Sequence, residues 1–150
     1  MITVEALHKR FGQVQALNGV SFQVNEGELF GVIGPDGAGK SSLFRILISL
    51  LLPDSGHLRL WEYDPVADYK TVRRMVGYMP GKFSLYEDLS VLENLRFFAT
   101  VFGTTVEENY YLIENIYKQI EPFKNRPADK LSGGMKQKLA LSCALIHSPK

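Results

Sequence analysis

The sequence predicts an α/β fold, with an antiparallel β unit at the amino terminus, a core built around a glycine loop, and a helical subdomain. Three observations carry that expectation. Apolar residues alternate at residues 2–6 and again at Val20, Phe22 and Val24, the pattern of half-buried strands. The run Leu29-Phe30-Gly31-Val32-Ile33 has no alternation and leads into a glycine-rich loop, which in turn opens into apolar residues at helical spacing. Beyond Gly81 the spacing is helical almost throughout.

The elements follow in order. Residues 2–6 and 20–24 form an antiparallel unit. Residues 29–33 read as a strand covered on both faces, as in the middle of an α/β sheet. Such a strand needs neighbours on both edges, and few other parallel candidates exist, so the sheet is expected to be incomplete. A helix at 40–52 carries Leu43, Ile46, Leu47, Leu50 and Leu51 at helical spacing and is stopped by Pro53. Asp54-Ser55-Gly56 turns the chain into a short strand at 57–61. A short helix at 68–75 and a strand at 76–79 come next. Then Leu92, Leu95, Phe98 and Phe102 mark a helix at 91–102, and Tyr110, Ile113, Tyr117 and Ile120 mark one at 106–120. A last helix begins at Ser132 and runs to about His147.

Composition narrows the class. The 150 residues are 45% hydrophobic and 22% charged, with 17 Lys and Arg against 16 Asp and Glu, which excludes disordered, collagenous and coiled-coil chains. A net charge of +1 gives no argument for nucleic acid or an anionic membrane as partner. Cys143 is the lone cysteine, and the amino terminus has no secretory pattern, so a reducing, cytoplasmic setting is expected. The most apolar tract, 43–52, is too short to span a bilayer.

Gly34-Pro35-Asp36-Gly37-Ala38-Gly39-Lys40-Ser41 fulfils the pattern G-x-x-x-x-G-K-[ST], the Walker A phosphate loop, with Ser42 following. Gly34, Gly37 and Gly39 permit positive φ and let main-chain N–H groups, Ala38 included, converge on phosphate oxygens. The helix amino terminus that follows adds unpaired donors and a favourable dipole. Lys40 should reach the β- and γ-phosphates, and the Ser41 hydroxyl should ligate Mg²⁺. The loop alone leaves kinases, GTPases and motor ATPases open.

A second motif narrows them. Leu131-Ser132-Gly133-Gly134-Met135-Lys136-Gln137 places Ser132 as a helix N-cap, with Gly133 and Gly134 letting first-turn amides approach an anion. It resembles the LSGGQ-type signature of the ATP-binding cassette (ABC) ATPases, and in that order behind the phosphate loop the resemblance covers essentially the whole chain. The resemblance implies a P-loop NTPase fold and an ATP-binding subunit of an ABC transporter, using ATP and Mg²⁺. It divides the chain into a β and phosphate-loop core at about 1–81, a helical subdomain at about 82–135 and a return helix at about 136–150. It implies that Phe11 stacks on adenine where family members often carry Tyr. It also implies that the nucleotide lies between two cassettes head to tail, with Ser132, Gly133 and Gly134 of one facing the phosphate loop of the other. The run 83–95 looks like the segment that opens the helical subdomain in exporters, where it receives an integral membrane subunit. A cytoplasmic location, peripheral on the inner face of the membrane, follows by the same resemblance, with no nucleic acid partner.

The sequence departs from the family twice. Gly77-Tyr78-Met79-Pro80 is followed by Gly81 where a glutamine is usual, removing a metal contact, and the charged Lys82 has no lone pair to offer instead. Second, the family's metal-holding Asp, water-polarising Glu and switch His lie beyond the last helix. The 150 residues are therefore expected to belong to a longer polypeptide and not to hydrolyse ATP by themselves. His147, His8 and His57 have no catalytic setting. Two other readings stay open, a soluble ABC ATPase outside transport and a nonhydrolysing nucleotide-binding fragment.

Overall fold

The computed structural model describes residues 1–82 and 84–150, which form two compact units, 1–73 and 74–150. In the first, β1 (Ile2–Phe11) and β2 (Val14–Val24) form a long hairpin, and β3 (Ser55–Leu60) pairs with the other edge of β1, giving an antiparallel sheet of order β2-β1-β3. The hairpin closes through Gly12, at φ 57°. Both strands run well beyond the stretches that alternate, because pairing with each other holds residues whose own pattern is irregular. Ala6 marks the irregularity: it sits at φ 45° where the β1 register shifts between Val4 and Leu7, a β-bulge.

Helix α1 (Lys40–Leu47) buries Leu43, Ile46 and Leu47, joining Val4, Leu7, Leu17, Val24, Leu58, Leu60 and Val72 as the buried apolar residues of this unit. It ends earlier than the predicted 40–52. Ser49 takes a left-handed conformation at φ 64°, with Ser49 N–H donating to Ile46 O and Leu50 N–H to Arg45 O at 3.0 and 2.7 Å. This is a Schellman closure with serine in the glycine position. Leu50 and Leu52 consequently face solvent. Helix α2 (Tyr69–Met75) follows near the predicted place.

Two expected strands are not formed. Residues 29–33 are unpaired, and Leu29 and Ile33 are 103% and 98% exposed instead of buried on both faces. Phe30 stacks on Phe22 at 5.0 Å. Residues 76–79 are likewise extended without a strand partner. The cause is the same for both: a parallel strand has no local hydrogen bonds and exists only when neighbours accept and donate along its edges. Among the described residues, the sheet offers no parallel neighbour.

The second unit is helical. Helix α3 (Val91–Val101) starts in a capping box, with the Ser90 side chain accepting from Glu93 N–H and Glu93 accepting from Ser90 N–H. Helix α4 (Val106–Tyr117) starts in the same way from Thr105 and Glu108. Helix α5 (Gly133–Leu145) is capped by Ser132. Val91, Leu95, Ala99, Ile113, Tyr117, Leu139, Cys143 and Ile146 close a common core. Capping boxes satisfy orphan amides that water would otherwise have to reach.

Candidate functional site

The phosphate loop is shaped by what its glycines omit. Gly37 and Gly39 have φ of 82° and 87°, which L side chains adopt only under strain. A Cβ on Gly39 would overlap the carbonyl oxygen of Ala16 and meet the Leu17 side chain, so this glycine lets the loop lie against β2. A Cβ on Gly37 would meet nothing, because that residue faces open space. The N-cap of α1 is Gly39 itself, with no side-chain cap and no acidic residue in the first turn. The amino-terminal amides and the positive end of the helix dipole thus have neither a side-chain cap nor a first-turn carboxylate to satisfy them.

Lys40 completes this arrangement. Its ammonium turns back across the loop and donates to the carbonyls of Gly34 and Pro35, both at 2.7 Å. Ala38 N–H closes a turn onto Pro35 O at 3.2 Å, and Ser41 is exposed one position further along. Positive charge, uncapped amides and a hydroxyl therefore meet at one place, and these residues fit a polyphosphate with a bound divalent cation. Among the described residues no cluster of three or more His, Cys, Asp or Glu could hold a metal alone. A cation at Ser41 would have to draw most of its ligands from phosphate and water, as Mg²⁺ commonly does.

Phe11 stands at the hairpin tip, 49% exposed, with the Lys9 ammonium 5.5 Å from its ring centre. Lys9 is in turn bonded to Asp54 at 2.7 Å. Phe11 and the loop belong to the same unit, and Gly39 packs on the β2 residues Ala16 and Leu17, close behind the hairpin tip.

The signature residues lie in the other unit. The Ser132 hydroxyl accepts from Met135 N–H at 3.4 Å. Ser132, Gly133 and Gly134 are exposed, and Cβ atoms at both glycines would meet nothing, leaving an open helix amino terminus. Gly81 is exposed with ordinary φ and free space around it. Phe83, in the predicted subdomain opening, lies outside the described residues.

Two residues escape sequence reasoning. Asn94 is fully buried, and its amide group donates to the carbonyls of Tyr86, Leu89 and Ser90 while its oxygen accepts from Tyr86 N–H. It fastens the loop 86–90 onto α3. The available signal was a polar residue on the inward side of an otherwise apolar helix. Asp54 gave no such signal, since aspartate before Ser-Gly reads as an ordinary turn. The three histidines take no part in the loop: His147 stacks on Phe102 in the second unit, and His8 and His57 lie in the sheet, opposite Ser55 and Glu5. The Cys143 thiol is buried, which pushes its pKa up and leaves it protonated and unreactive.

Comparison with known proteins decides the family. The profile described as ABC transporter matches residues 17–150. The chain belongs to the ABC transporter family. Among ABC relatives, it is 42% identical over its whole length to the probable multidrug ABC transporter ATP-binding protein YbhF of Escherichia coli, of which it spans 27%. It is 34% identical, over 99% of its length, to the Nod factor export ATP-binding protein I of a Rhizobium strain, spanning 50% of that protein. The dimeric structure of MJ0796, a bacterial ABC transporter cassette, superposes with a TM-score of 0.86 at 26% identity, over 99% of this chain and 71% of that one. The fold is accordingly that of an ABC ATPase domain. The chain spans only about a quarter to a half of the two curated relatives.

Proposed function

We propose that this chain supplies the nucleotide-binding part of an ABC transporter subunit, which binds MgATP and, in the complete protein, hydrolyses it to drive transport across a membrane in the export direction. The observation that carries this reading is the Lys40 ammonium held over a loop that opens into an uncapped helix. Lys40 would exchange its two carbonyl acceptors for β- and γ-phosphate oxygens, which bond an ammonium more strongly than neutral carbonyls do. The amides of Gly37, Ala38, Gly39, Lys40, Ser41 and Ser42 would cradle the remaining oxygens, and Phe11 would stack on the base. Bound at Ser41, Mg²⁺ would supply charge neutralisation of the phosphates.

The exposed amino terminus of α5, with Ser132, Gly133 and Gly134, is assigned to the γ-phosphate of a second cassette arranged head to tail. The relative MJ0796 cassette is described as dimeric, which supports this partner. The name of the Nod factor export ATP-binding protein supports the direction. An integral membrane subunit is assigned to the surface around residues 84–95, which places the protein on the cytoplasmic face of a membrane. No described helix is long and apolar enough to cross one itself. The core at about 1–81, helical subdomain at about 82–135 and return helix at about 136–150 are the corresponding division. No residue of the chain is assigned as the base or water-polarising carboxylate.

The test is Lys40→Ala in the full-length protein, with MgATP affinity measured by titration. Removing a charge-assisted phosphate contact should weaken binding about 10- to 100-fold. Unaltered affinity in a folded variant would remove the assignment.

A further inference from the structure

The strand that carries Phe11 is held at its end by a side chain. Pairing between β1 and β3 reaches only His8 opposite Ser55, so Lys9, Arg10 and Phe11 extend past the last ladder partner on that edge. Asp54, the residue just before β3, takes over there. Its N–H donates to His8 O at 2.9 Å, one carboxylate oxygen accepts from Arg10 N–H at 2.6 Å, and the other accepts from the Lys9 ammonium at 2.7 Å. Three consecutive residues of β1 are thus bound by one aspartate. The Lys9 side chain is only 14% exposed, so its position is fixed, and its ammonium lies over Phe11. A cation over one face of an aromatic ring occupies that face and draws π density toward itself. The other face is left less negative, which favours stacking against an electron-rich purine.

We propose that Asp54 and Lys9 are positioning residues for the base platform: together they hold Phe11 in place and polarise its ring, so that the platform discriminates for the base of the nucleotide. This rests on the reading of Phe11 as the residue that stacks on the base. Asp54 also closes the connection that leaves the phosphate loop through α1, so the same short segment ties the phosphate end of the site to the base end.

The experiment compares affinity for MgATP with affinity for magnesium tripolyphosphate, which lacks base and ribose, in the full-length protein. Phe11→Ala should weaken MgATP about 10-fold or more, within the range of a base stacked on an aromatic side chain, without changing tripolyphosphate. Lys9→Met keeps the alkyl stem and should weaken MgATP alone by about two- to five-fold, the range of an exposed cation–π contact. Asp54→Asn retains an acceptor for the Arg10 amide but loses the anchoring charge, and should match Lys9→Met. Lys9→Arg should restore most of the preference. If Phe11→Ala acts as stated while Lys9→Met and Asp54→Asn keep the wild-type ratio, the positioning role is wrong and the platform stands. An unaltered ratio in Phe11→Ala overturns both. Equal losses for MgATP and tripolyphosphate in Lys9→Met and Asp54→Asn show a general effect on the fold and also overturn the proposal.

Discussion

The His147 imidazole lies flat on Phe102, with ring centres 3.9 Å apart, and its Nε2 donates to the Val76 carbonyl at 3.2 Å. Its Nδ1 is buried without a partner among the described residues. Protonation would add an N–H where no acceptor waits, and burial accordingly depresses its pKa, opposed in part by the bond to Val76. The unfolded imidazole takes up a proton as pH falls through about 6.5, while the folded one resists. The unfolded state therefore binds more protons in the window below that value, and folding stability must decline there as pH falls. Above it the contribution is complete. Denaturant titrations from pH 7.5 to 5 should show this decline in the wild type and a flatter profile in His147→Gln. Identical slopes would mean that the imidazole is not in this environment.

At the scale of elements, α1 ends where Ser49 adopts φ 64°. That conformation favours glycine, and the Ser49 hydroxyl is moreover buried without a partner among the described residues. Its carbonyl accepts from the Arg73 guanidinium, an interaction any residue would keep. Ser49→Gly should therefore stabilise the protein, by about 0.5–1.5 kcal/mol, by relieving left-handed strain and an unsatisfied hydroxyl together. The shift of the urea midpoint measures it. A lower midpoint would show that the serine makes a contact worth more than its strain. Asn94 is the opposite case in α3, a buried polar residue whose four hydrogen bonds leave nothing to relieve.

At the scale of the whole molecule, the proposed reading requires two chains for each nucleotide. A Lys40→Ala chain keeps its Ser132 segment, and a Ser132→Arg chain keeps its phosphate loop. Neither should dimerise in the presence of ATP when alone. Mixed, they form a pair with one complete composite site, so ATP-dependent dimerisation, followed by light scattering, should return in the mixture. A mixture that stays as monomeric as its components would contradict the head-to-tail arrangement.

The loop at 34–41 and the start of α5 were legible because their chemistry is contiguous: glycines, lysine and a capping serine act within one turn of their own position. The helices of the second unit were legible from spacing and, for α5, from Ser132 at its start, whereas the capping boxes of Ser90 and Thr105 emerged only with the structure. The helix at 40–52 was overextended, since its apolar spacing continues through Leu50 and Leu51 while backbone hydrogen bonds close at Ser49. Residues 29–33 show the limit most plainly. Their composition asks for burial on two faces, yet a strand exists only where another strand pairs with it. The amino-acid order by itself thus carried the resemblance to the family, the α/β class and the glycine-rich loop ahead of α1. Only the tertiary structure decided that β3 pairs with the other edge of β1, that Asn94 fastens a loop and that Asp54 grips the end of β1. These depend on residues brought together from distant parts of the chain, which no local pattern encodes.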